Sequence, residues 1–206
     1  MSIHHPRIYL ASQSPRRRDL LKQIGIRYEV LLLRNDPRRQ IDVDEVELKD
    51  EPPLAYVERV CREKAEAAWD AMLARNLPPF PVLAADTTVT LGGNIIGKPR
   101  DNQHAAEILG CLSGTQHQVL TAVGIAFEDR YESRVSTSTI HFSQLSEDRI
   151  RHYLLSGEAH DKAGAYGIQG QAGAFVEKLE GSFSGVVGLP LFETVELLKS
   201  FGVPTP

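Results

Sequence analysis

A basic segment near the start of the chain has the residue types that bind phosphate. Arg16, Arg17 and Arg18 follow a Ser-Gln-Ser-Pro sequence in which Ser14 suits a helix N-cap and Pro15 the first helical position. Arginines at the positive end of a helix dipole are unfavourable unless an anion binds there. Guanidinium groups and free backbone N–H groups both bind phosphate oxygens. The segment therefore predicts either a phosphate site or a solvated basic turn.

Asp86 is the carboxylate best placed for catalysis. It directly follows the apolar run 80–85 and precedes two threonines, so we expect it at the end of a strand, facing a cleft. A carboxylate in that position can accept a proton from water or bind a divalent cation. The alternative is a strand-terminating aspartate that accepts hydrogen bonds from the backbone.

Two lysines and a glycine-rich segment are further candidates. Lys64 lies within the apolar stripe of a predicted helix, so its charge must either extend to the surface or meet an anion in a cleft. Lys98 precedes Pro99, which restricts it to extended geometry. Segment 161–170 combines charged residues, three glycines and Gln169, and glycine lets a backbone approach a ligand closely. Each signal alone is also compatible with an ordinary surface loop.

The pattern of apolar residues predicts the elements that would position these groups. We expect the polar segment 34–51 to be a mobile loop. Strands and helices mix without strict alternation, which favours an α/β class with a mixed sheet over a doubly wound parallel sheet. Helices are predicted over about 15–23, 52–75, 101–111, 147–155 and 191–201, and strands over 8–11, 28–33, 80–85, 119–127, 131–142 and 174–180, with a hairpin around Gly92-Gly93.

The overall composition indicates one globular domain over residues 1–206. The chain is 42% hydrophobic, enough for one substantial core, and its formal net charge of −4 disfavours nucleic-acid binding. Neither a signal peptide nor a membrane-spanning stretch is apparent, so we expect a cytoplasmic protein that does not bind membranes. Cys61 and Cys111 show no metal-binding spacing and are expected to be buried thiols. The scattered histidines are expected to have structural or surface roles.

Taken together and in order, these segments resemble the Maf family of nucleotide pyrophosphatases. The resemblance runs across nearly the whole chain and rests on seven blocks: LASQSPRR (10–17), REKA (62–65), ADT (85–87), GKP (97–99), LSG with HQV (112–114 and 117–119), DKAGAYGIQG (161–170) and VVGLP (186–190). It implies a strongly twisted mixed sheet with flanking helices and two lobes around a cleft, akin to the inosine triphosphate pyrophosphatase type. It also implies a homodimer.

The resemblance further implies a hydrolase that cleaves a nucleoside triphosphate between its α and β phosphates, a nucleotide diphosphatase, with Mg²⁺, Mn²⁺ or Co²⁺ as cofactor. Asp86 matches the family's proton acceptor and is also expected to contact the metal. Asp36 is our choice for a second metal ligand, because the family's usual acidic turn is replaced by residues 34–39 here. The expected substrate-binding residues are Ser12, Ser14, Arg16, Arg17, Lys64, Thr87, Lys98 and Gln169.

Three of these residues indicate a subclass. Arg16, Thr87 and Gln169 match positions of the subclass that acts on dTTP, UTP and modified pyrimidine nucleotides. A glutamine amide offers the donor and the acceptor needed to pair with the imide edge of uracil or thymine. Residues 181–185 are smaller than the family's usual polar or bulky filling and are expected to alter base fit. The alternatives are the 7-methyl-GTP pyrophosphatase subclass, or a nucleotide-binding regulator of septum formation and cell division without turnover.

Overall fold

A single seven-stranded mixed sheet organises the part of the chain that the computed structural model describes, residues 8–33 and 43–206. The strand order is β2-β1-β3-β5-β6-β7, and β4 pairs with part of β3. Strand β1 runs parallel to β2 and β3, and the remaining pairs are antiparallel. The predicted mixed α/β fold is confirmed. The strands are β1 (Ile8–Leu10), β2 (Tyr28–Val30), β3 (Val82–Leu91), β4 (Asn94–Ile96), β5 (Gln116–Phe127), β6 (Arg130–Phe142) and β7 (Val176–Glu180).

Helices cover both faces of the sheet. Three begin with the side-chain caps that their sequences favour: Asp101 accepts a hydrogen bond from the His104 amide at 2.8 Å, Ser146 from the Arg149 amide at 3.2 Å, and Ser182 from the Gly185 amide at 3.0 Å. Short 3-10 turns at Ala163–Ala165 and Gln171–Phe175 precede β7. The helices are α1 (Pro15–Gln23), α2 (Pro53–Ala74), α3 (Asn102–Leu112), α4 (Glu147–Leu155), α5 (Phe183–Val187) and α6 (Leu191–Ser200).

Strand alternation divides the core between the two faces of the sheet. Leu83 and Ala85 of β3 pack in a cluster with residues of α1 and α6, whereas Val82 and Ala84 pack in a cluster with residues of α2. Successive side chains of a strand point to opposite faces, so this division follows directly from the sequence of β3. A third cluster, between α3, α4 and the far ends of β5 and β6, contains Tyr153.

Strand β3 has a stretch that is paired on one side only, which we call the notch. Pairing with β1 ends at Leu83 and pairing with β4 begins at Val89, while β5 pairs along the whole interval. Asp86 lies in this notch, opposite Ala122 of β5. The expectation that Asp86 ends a strand was therefore wrong. The strand continues because β5 remains hydrogen-bonded to it after β1 has left the sheet.

Other differences from the predicted elements have local causes. Strand β2 ends at Val30 rather than Leu33, because its partner β1 has only three residues. Helix α5 was not predicted, since its five residues are too few to show a helical apolar period. Cys61 is buried as expected, but Cys111 is exposed because it lies on the solvent side of α3. Within residues 8–33 and 43–206, no helix is long and apolar enough to cross a membrane.

Candidate active site

Strand alternation sends two neighbouring residues of β3 to different helices. Asp86 lies on the same face of the sheet as Ala84 and faces α2, whereas Thr87 lies on the same face as Ala85 and faces α1. Asp86 therefore meets Lys64 of α2, and Thr87 meets Arg17 of α1. Two adjacent positions of one strand thus connect the groups carried by two separate helices.

Lys64 joins two carboxylates at the notch. Its Nζ lies 2.7 Å from Oδ1 of Asp86 and 2.8 Å from Oε1 of Glu45, and only 15% of its side chain is exposed. Burial alone disfavours the ammonium ion, but attraction to Asp86 and Glu45 outweighs this and raises the pKa of Lys64. Of the two positions that its sequence allowed, surface or cleft, Lys64 takes the cleft.

Glu45 is a candidate site residue that our reading of the sequence missed. It comes from the irregular segment before α2 and bridges Lys64 and Lys98, whose Nζ lies 3.8 Å from Oε2. Burial opposes its ionisation, yet the charge and the hydrogen bond of Lys64 lower its pKa. The acidic run around residues 42–47 was a signal, but that run has no periodicity from which to select one member. Asp36, the residue chosen instead, lies outside the described residues, so its role stays a prediction.

Arg17 is held from three directions. Its Nε donates to the carbonyl of Gly188 at 2.7 Å, Nη1 donates to Oγ of Ser12 at 3.2 Å, and Nη2 donates to Oγ1 of Thr87 at 3.2 Å. Burial lowers its pKa, but an arginine stays protonated at neutral pH. The guanidinium is therefore a fixed positive charge with its geometry set before any ligand binds.

The Thr87 hydroxyl is oriented by a chain of hydrogen bonds that continues into β5 and α5. Oγ1 of Thr87 lies 3.0 Å from Oγ1 of Thr121, which is fully buried and donates to the carbonyl of Gly185 at 2.8 Å. Because Thr121 has one hydroxyl proton, Thr87 donates its own proton to Thr121 and accepts from Arg17. This chain connects β3, β5 and α5 to the guanidinium.

The other predicted residues of the basic segment behave differently. Ser14 occupies the N-cap position of α1, but its side chain makes no capping bond, and its amide instead donates to Oγ of Ser12 at 3.2 Å. Arg16 lines the cleft without a hydrogen bond or an ion pair to any described residue. Two adjacent arginines thus differ: Arg17 is fixed by hydrogen bonds, whereas Arg16 has none to the described part of the chain.

The opposite wall of the cleft is built from segment 158–170. The Gly164 amide donates to the carbonyl of Gly97 at 3.2 Å, which attaches this wall to the turn that carries Lys98. Gly164 has φ +72°, and a Cβ there would lie 3.0 Å from Cγ2 of Val89, so a side chain would be both strained and crowded. Gln169 is exposed on this wall, without a hydrogen bond to the rest of the described chain.

Tyr166 anchors this wall to the core. Its hydroxyl lies 2.8 Å from Nε2 of His117, a buried residue of β5, and both rings stack edge to face with Phe142. Nδ1 of His117 is buried and has no hydrogen-bond partner among the described residues. Burial lowers the pKa of His117 to about 4, so the imidazole is neutral at pH 7.

All nine predicted site residues in the described chain line one cleft with a volume of about 1080 Å³. That is at or slightly above the range of about 300 to 1000 Å³ typical of small-molecule sites. Lys162, which we did not select, lines it as well, and burial lowers its pKa. The roles of these residues stay predictions, but the structure brings them together. They are Ser12, Ser14, Arg16, Arg17, Lys64, Asp86, Thr87, Lys98 and Gln169.

The carboxylates of Asp86 and Glu45 are suitable ligands for a divalent cation. Both lie within hydrogen-bonding distance of the same ammonium nitrogen, on Lys64. Across the described ranges, no group of three or more His, Cys, Asp or Glu residues has metal-binding geometry. Mg²⁺ in proteins is commonly held by one or two carboxylates together with water and substrate phosphates. Two converging carboxylates beside a cationic cleft are consistent with that mode of coordination.

The fold has a mixed sheet covered by helices, and its cleft places cationic side chains around the carboxylate of Asp86. These features define an α/β protein suited to a polyphosphate ligand. Comparison with known proteins gives the particular family. A family profile described as "Maf-like protein" matches residues 7–201, and the chain belongs to this family.

Curated relatives match over nearly their full length. The dTTP/UTP pyrophosphatase of Nitrosomonas europaea is 56% identical over 95% of this chain and 95% of its own. That of Aromatoleum aromaticum is 54% identical over 96% and 97%, respectively. That of Chromobacterium violaceum is 47% identical over the whole of both chains. Among solved structures, the Staphylococcus aureus Ham1 protein is similar over 68% of this chain and 72% of that chain, with a TM-score of 0.43 and 19% identity.

Proposed function

We propose that this protein is a nucleoside triphosphate pyrophosphatase that hydrolyses dTTP, UTP and modified pyrimidine nucleotides to the monophosphate and pyrophosphate. The observation that carries the proposal is the convergence of Arg17, Lys64 and Lys98 around Asp86 in one cleft. Relatives named dTTP/UTP pyrophosphatase, at about half identity over nearly the whole chain, support the same activity. The enzyme is accordingly a hydrolase of the α-β phosphoanhydride bond.

In the proposed reaction, the oxygen of a water molecule bonds to the α-phosphorus while the bond from that phosphorus to the α-β bridging oxygen breaks. Asp86 accepts the proton of the attacking water, since Lys64 contacts only its Oδ1 and leaves Oδ2 without a partner in the described residues. Pyrophosphate leaves with the bond electrons. Fixed cations around the triphosphate stabilise the negative charge that develops on the oxygens in the transition state.

The cations of the cleft divide this task according to how firmly they are held. Arg17 is fixed by three hydrogen bonds and presents its charge in a set direction. Lys64 exchanges part of its contact with Glu45 for contact with phosphate. Lys98, with 60% of its side chain exposed, and Arg16, which has no hydrogen bond or ion pair within residues 8–33 and 43–206, can follow the phosphate tail. Fixed charges avoid reorganisation during the reaction, and mobile ones accommodate binding and release.

A divalent cation, Mg²⁺, Mn²⁺ or Co²⁺, is part of the proposal. Asp86 and Glu45 would hold it, with substrate phosphates as further ligands. Bound there, it would supply Lewis-acid polarisation of a phosphoryl oxygen and neutralise charge on the triphosphate. Lys64 occupies the space between the two carboxylates and keeps them from repelling each other when no cation is bound.

Base selection is assigned to the wall that carries Gln169. Its amide presents one donor group and one acceptor group, the combination that matches the imide edge of thymine and uracil. Because Gln169 is exposed and has no partner in the described chain, no internal hydrogen bond must break when a base binds. From the family resemblance we also propose a homodimer in the cytoplasm, and light scattering on the purified protein tests the dimer.

A pyrophosphate-release assay across nucleotides and metals tests the function. Purified protein is incubated with dTTP, UTP, CTP or 7-methyl-GTP in the presence of Mg²⁺, Mn²⁺, Co²⁺ or EDTA. We expect equal amounts of monophosphate and pyrophosphate from dTTP and UTP, slower release from CTP and 7-methyl-GTP, and none with EDTA. A preference for 7-methyl-GTP would assign the protein to the other subclass. Tight triphosphate binding without pyrophosphate release under any metal would instead indicate a binding regulator.

A further inference from the structure

The segment that carries Glu45 has little to hold it in place apart from hydrogen bonds. Residues 43–51, which we call the acidic segment, form neither helix nor strand. Its apolar side chains are not buried, since Val46 is 65% and Leu48 is 55% exposed. Apart from the partly buried Val43, apolar packing therefore contributes little to the position of Glu45, which is held by polar contacts with α2.

Two residues of α2 hold two consecutive peptide groups of the acidic segment by their carbonyls, those of Glu45 and Val46. The Tyr56 hydroxyl donates to the carbonyl of Glu45 at 3.0 Å, and Nη2 of Arg59 donates to the carbonyl of Val46 at 3.0 Å. Consecutive carbonyls are thus bound by side chains three residues apart on one helix. That spacing places both side chains on the same helical face.

Arg59 also closes the far end of the acidic segment. Its Nε and Nη2 donate to the two oxygens of Glu51 at 2.7 and 2.9 Å, a bidentate pair in which only 8% of the Glu51 side chain is exposed. Hydrogen bonding to Arg59 lowers the pKa of Glu51. Oε2 of Glu51 also accepts from the Leu48 amide at 3.1 Å. One guanidinium therefore ties both ends of the stretch 46–51 to α2.

We propose that Arg59 is a positioning residue that, through Glu51 and the Val46 carbonyl, holds Glu45 beside Asp86 for divalent-cation binding. The inference rests on the proposed function, because it assigns Glu45 a task in that site. Arg59 touches neither Asp86 nor Lys64 and does not line the cleft, so it acts on the site through the acidic segment and through the Tyr56 ring, over which its guanidinium lies.

Arg62 provides a matched control on the same helix. Like Arg59, it faces a glutamate four residues later, with Nε of Arg62 3.9 Å from Oε1 of Glu66, and its guanidinium lies over an aromatic ring, that of Tyr131. Arg59 has the equivalent contacts with Glu63 and Tyr56. Among the described residues, Arg59 contacts the acidic segment and Arg62 does not, and the ring under Arg59, that of Tyr56, itself binds the Glu45 carbonyl. Arg59→Ala and Arg62→Ala therefore separate the support of the acidic segment from general effects on the helix.

Amide hydrogen exchange measures the positioning without any turnover. We expect Arg59→Ala to accelerate exchange of the Val46 and Leu48 amides at least several-fold, with the protection of β3 and β5 unchanged. Arg62→Ala should leave the acidic segment as in the wild type, and Arg59→Lys, which keeps the charge but not the bidentate geometry, should fall between. Equal exchange of the acidic segment in both alanine variants would overturn the proposal.

Binding of Mn²⁺ alone, followed by electron paramagnetic resonance, tests the consequence for the site. Replacing residues that orient metal ligands typically weakens metal binding by about 10- to 100-fold, and we expect at least 10-fold for Arg59→Ala. Added to Glu45→Gln, the same substitution should have no further effect, because the ligand it positions is already lost. Unchanged Mn²⁺ affinity in Arg59→Ala, or a full additional loss in the double variant, would overturn the inference. Neither outcome depends on whether the protein releases pyrophosphate.

Discussion

The two walls of the cleft are fixed by different kinds of contact. On the wall formed by α1, α2 and β3, charged side chains bind one another, as Lys64 does with Asp86 and Glu45. On the wall formed by segment 158–170, the backbone is held by glycine geometry and by the buried Tyr166–His117 hydrogen bond, and Gln169, proposed to recognise the base, has no hydrogen-bond partner among the described residues. Two of the charges proposed to bind phosphate, those of Arg17 and Lys64, are thus positioned before any ligand binds. Gln169, the residue proposed to recognise the base, can therefore bind a ligand without first breaking a hydrogen bond within the described chain.

The largest effect is expected from the charged wall. Asp86→Asn should reduce pyrophosphate release by about 10²- to 10⁴-fold, the range for losing a general base, while the protein stays folded because Lys64 keeps its contact with Glu45. Pyrophosphate assays and thermal melting on the same preparation measure both effects. A variant with near-normal rates would show that Asp86 is not the proton acceptor.

The aromatic anchor of the other wall predicts a pH effect on stability. His117 has a pKa of about 4 when folded and about 6.5 when unfolded. Between these values the unfolded state binds more protons, so stability falls as the pH drops from about 6.5 towards 4, by up to about 3 kcal/mol. Denaturant unfolding from pH 7 to 4.5 should show a shallower decline for His117→Gln, which retains a hydrogen-bonding group but does not titrate. Parallel curves for variant and wild type would contradict this origin.

The contrast between the two adjacent arginines gives the next effect. Arg17→Lys cannot reproduce three hydrogen bonds in different directions, so it should cost roughly 1 to 3 kcal/mol of stability and raise KM for dTTP. Arg16→Lys should leave stability unchanged, since Arg16 makes no such bonds in the described chain. Urea unfolding and initial rates on both variants check the contrast. Equal destabilisation by the two substitutions would remove it.

The smallest effect is expected at the base. Gln169→Ala should reduce the preference for dTTP over CTP by about 10-fold at most, because a hydrogen bond between neutral groups contributes about 0.5 to 1.5 kcal/mol. The kcat/KM ratio for the two nucleotides measures it. Gln171→Ala is the control, since Gln171 is also exposed but does not line the cleft. If both substitutions changed the ratio equally, Gln169 would have no special part in base selection.

The sequence predicted the fold class and the residues of the cleft more accurately than it predicted how they meet. The periodicity of α2 and the cap at Asp101 were readable because they are local. The ligand-like position of Glu45 was not, because it depends on contacts that Arg59 makes along an aperiodic segment. The interior location of Asp86 was likewise hidden, since strand length depends on a partner about 35 residues away in sequence, at Ala122.

The notch has a consequence for how the protein loses activity on heating. Because Asp86 belongs to a long strand paired with β5, which is itself paired over its whole length with β6, its carboxylate cannot drift without disruption of the central sheet. Glu45, by contrast, sits on a segment whose detachment leaves that sheet intact. Opening free energies vary widely within one protein. Thermal inactivation should therefore begin with the reversible detachment of Glu45. This should occur well below the temperature at which Asp86 is displaced.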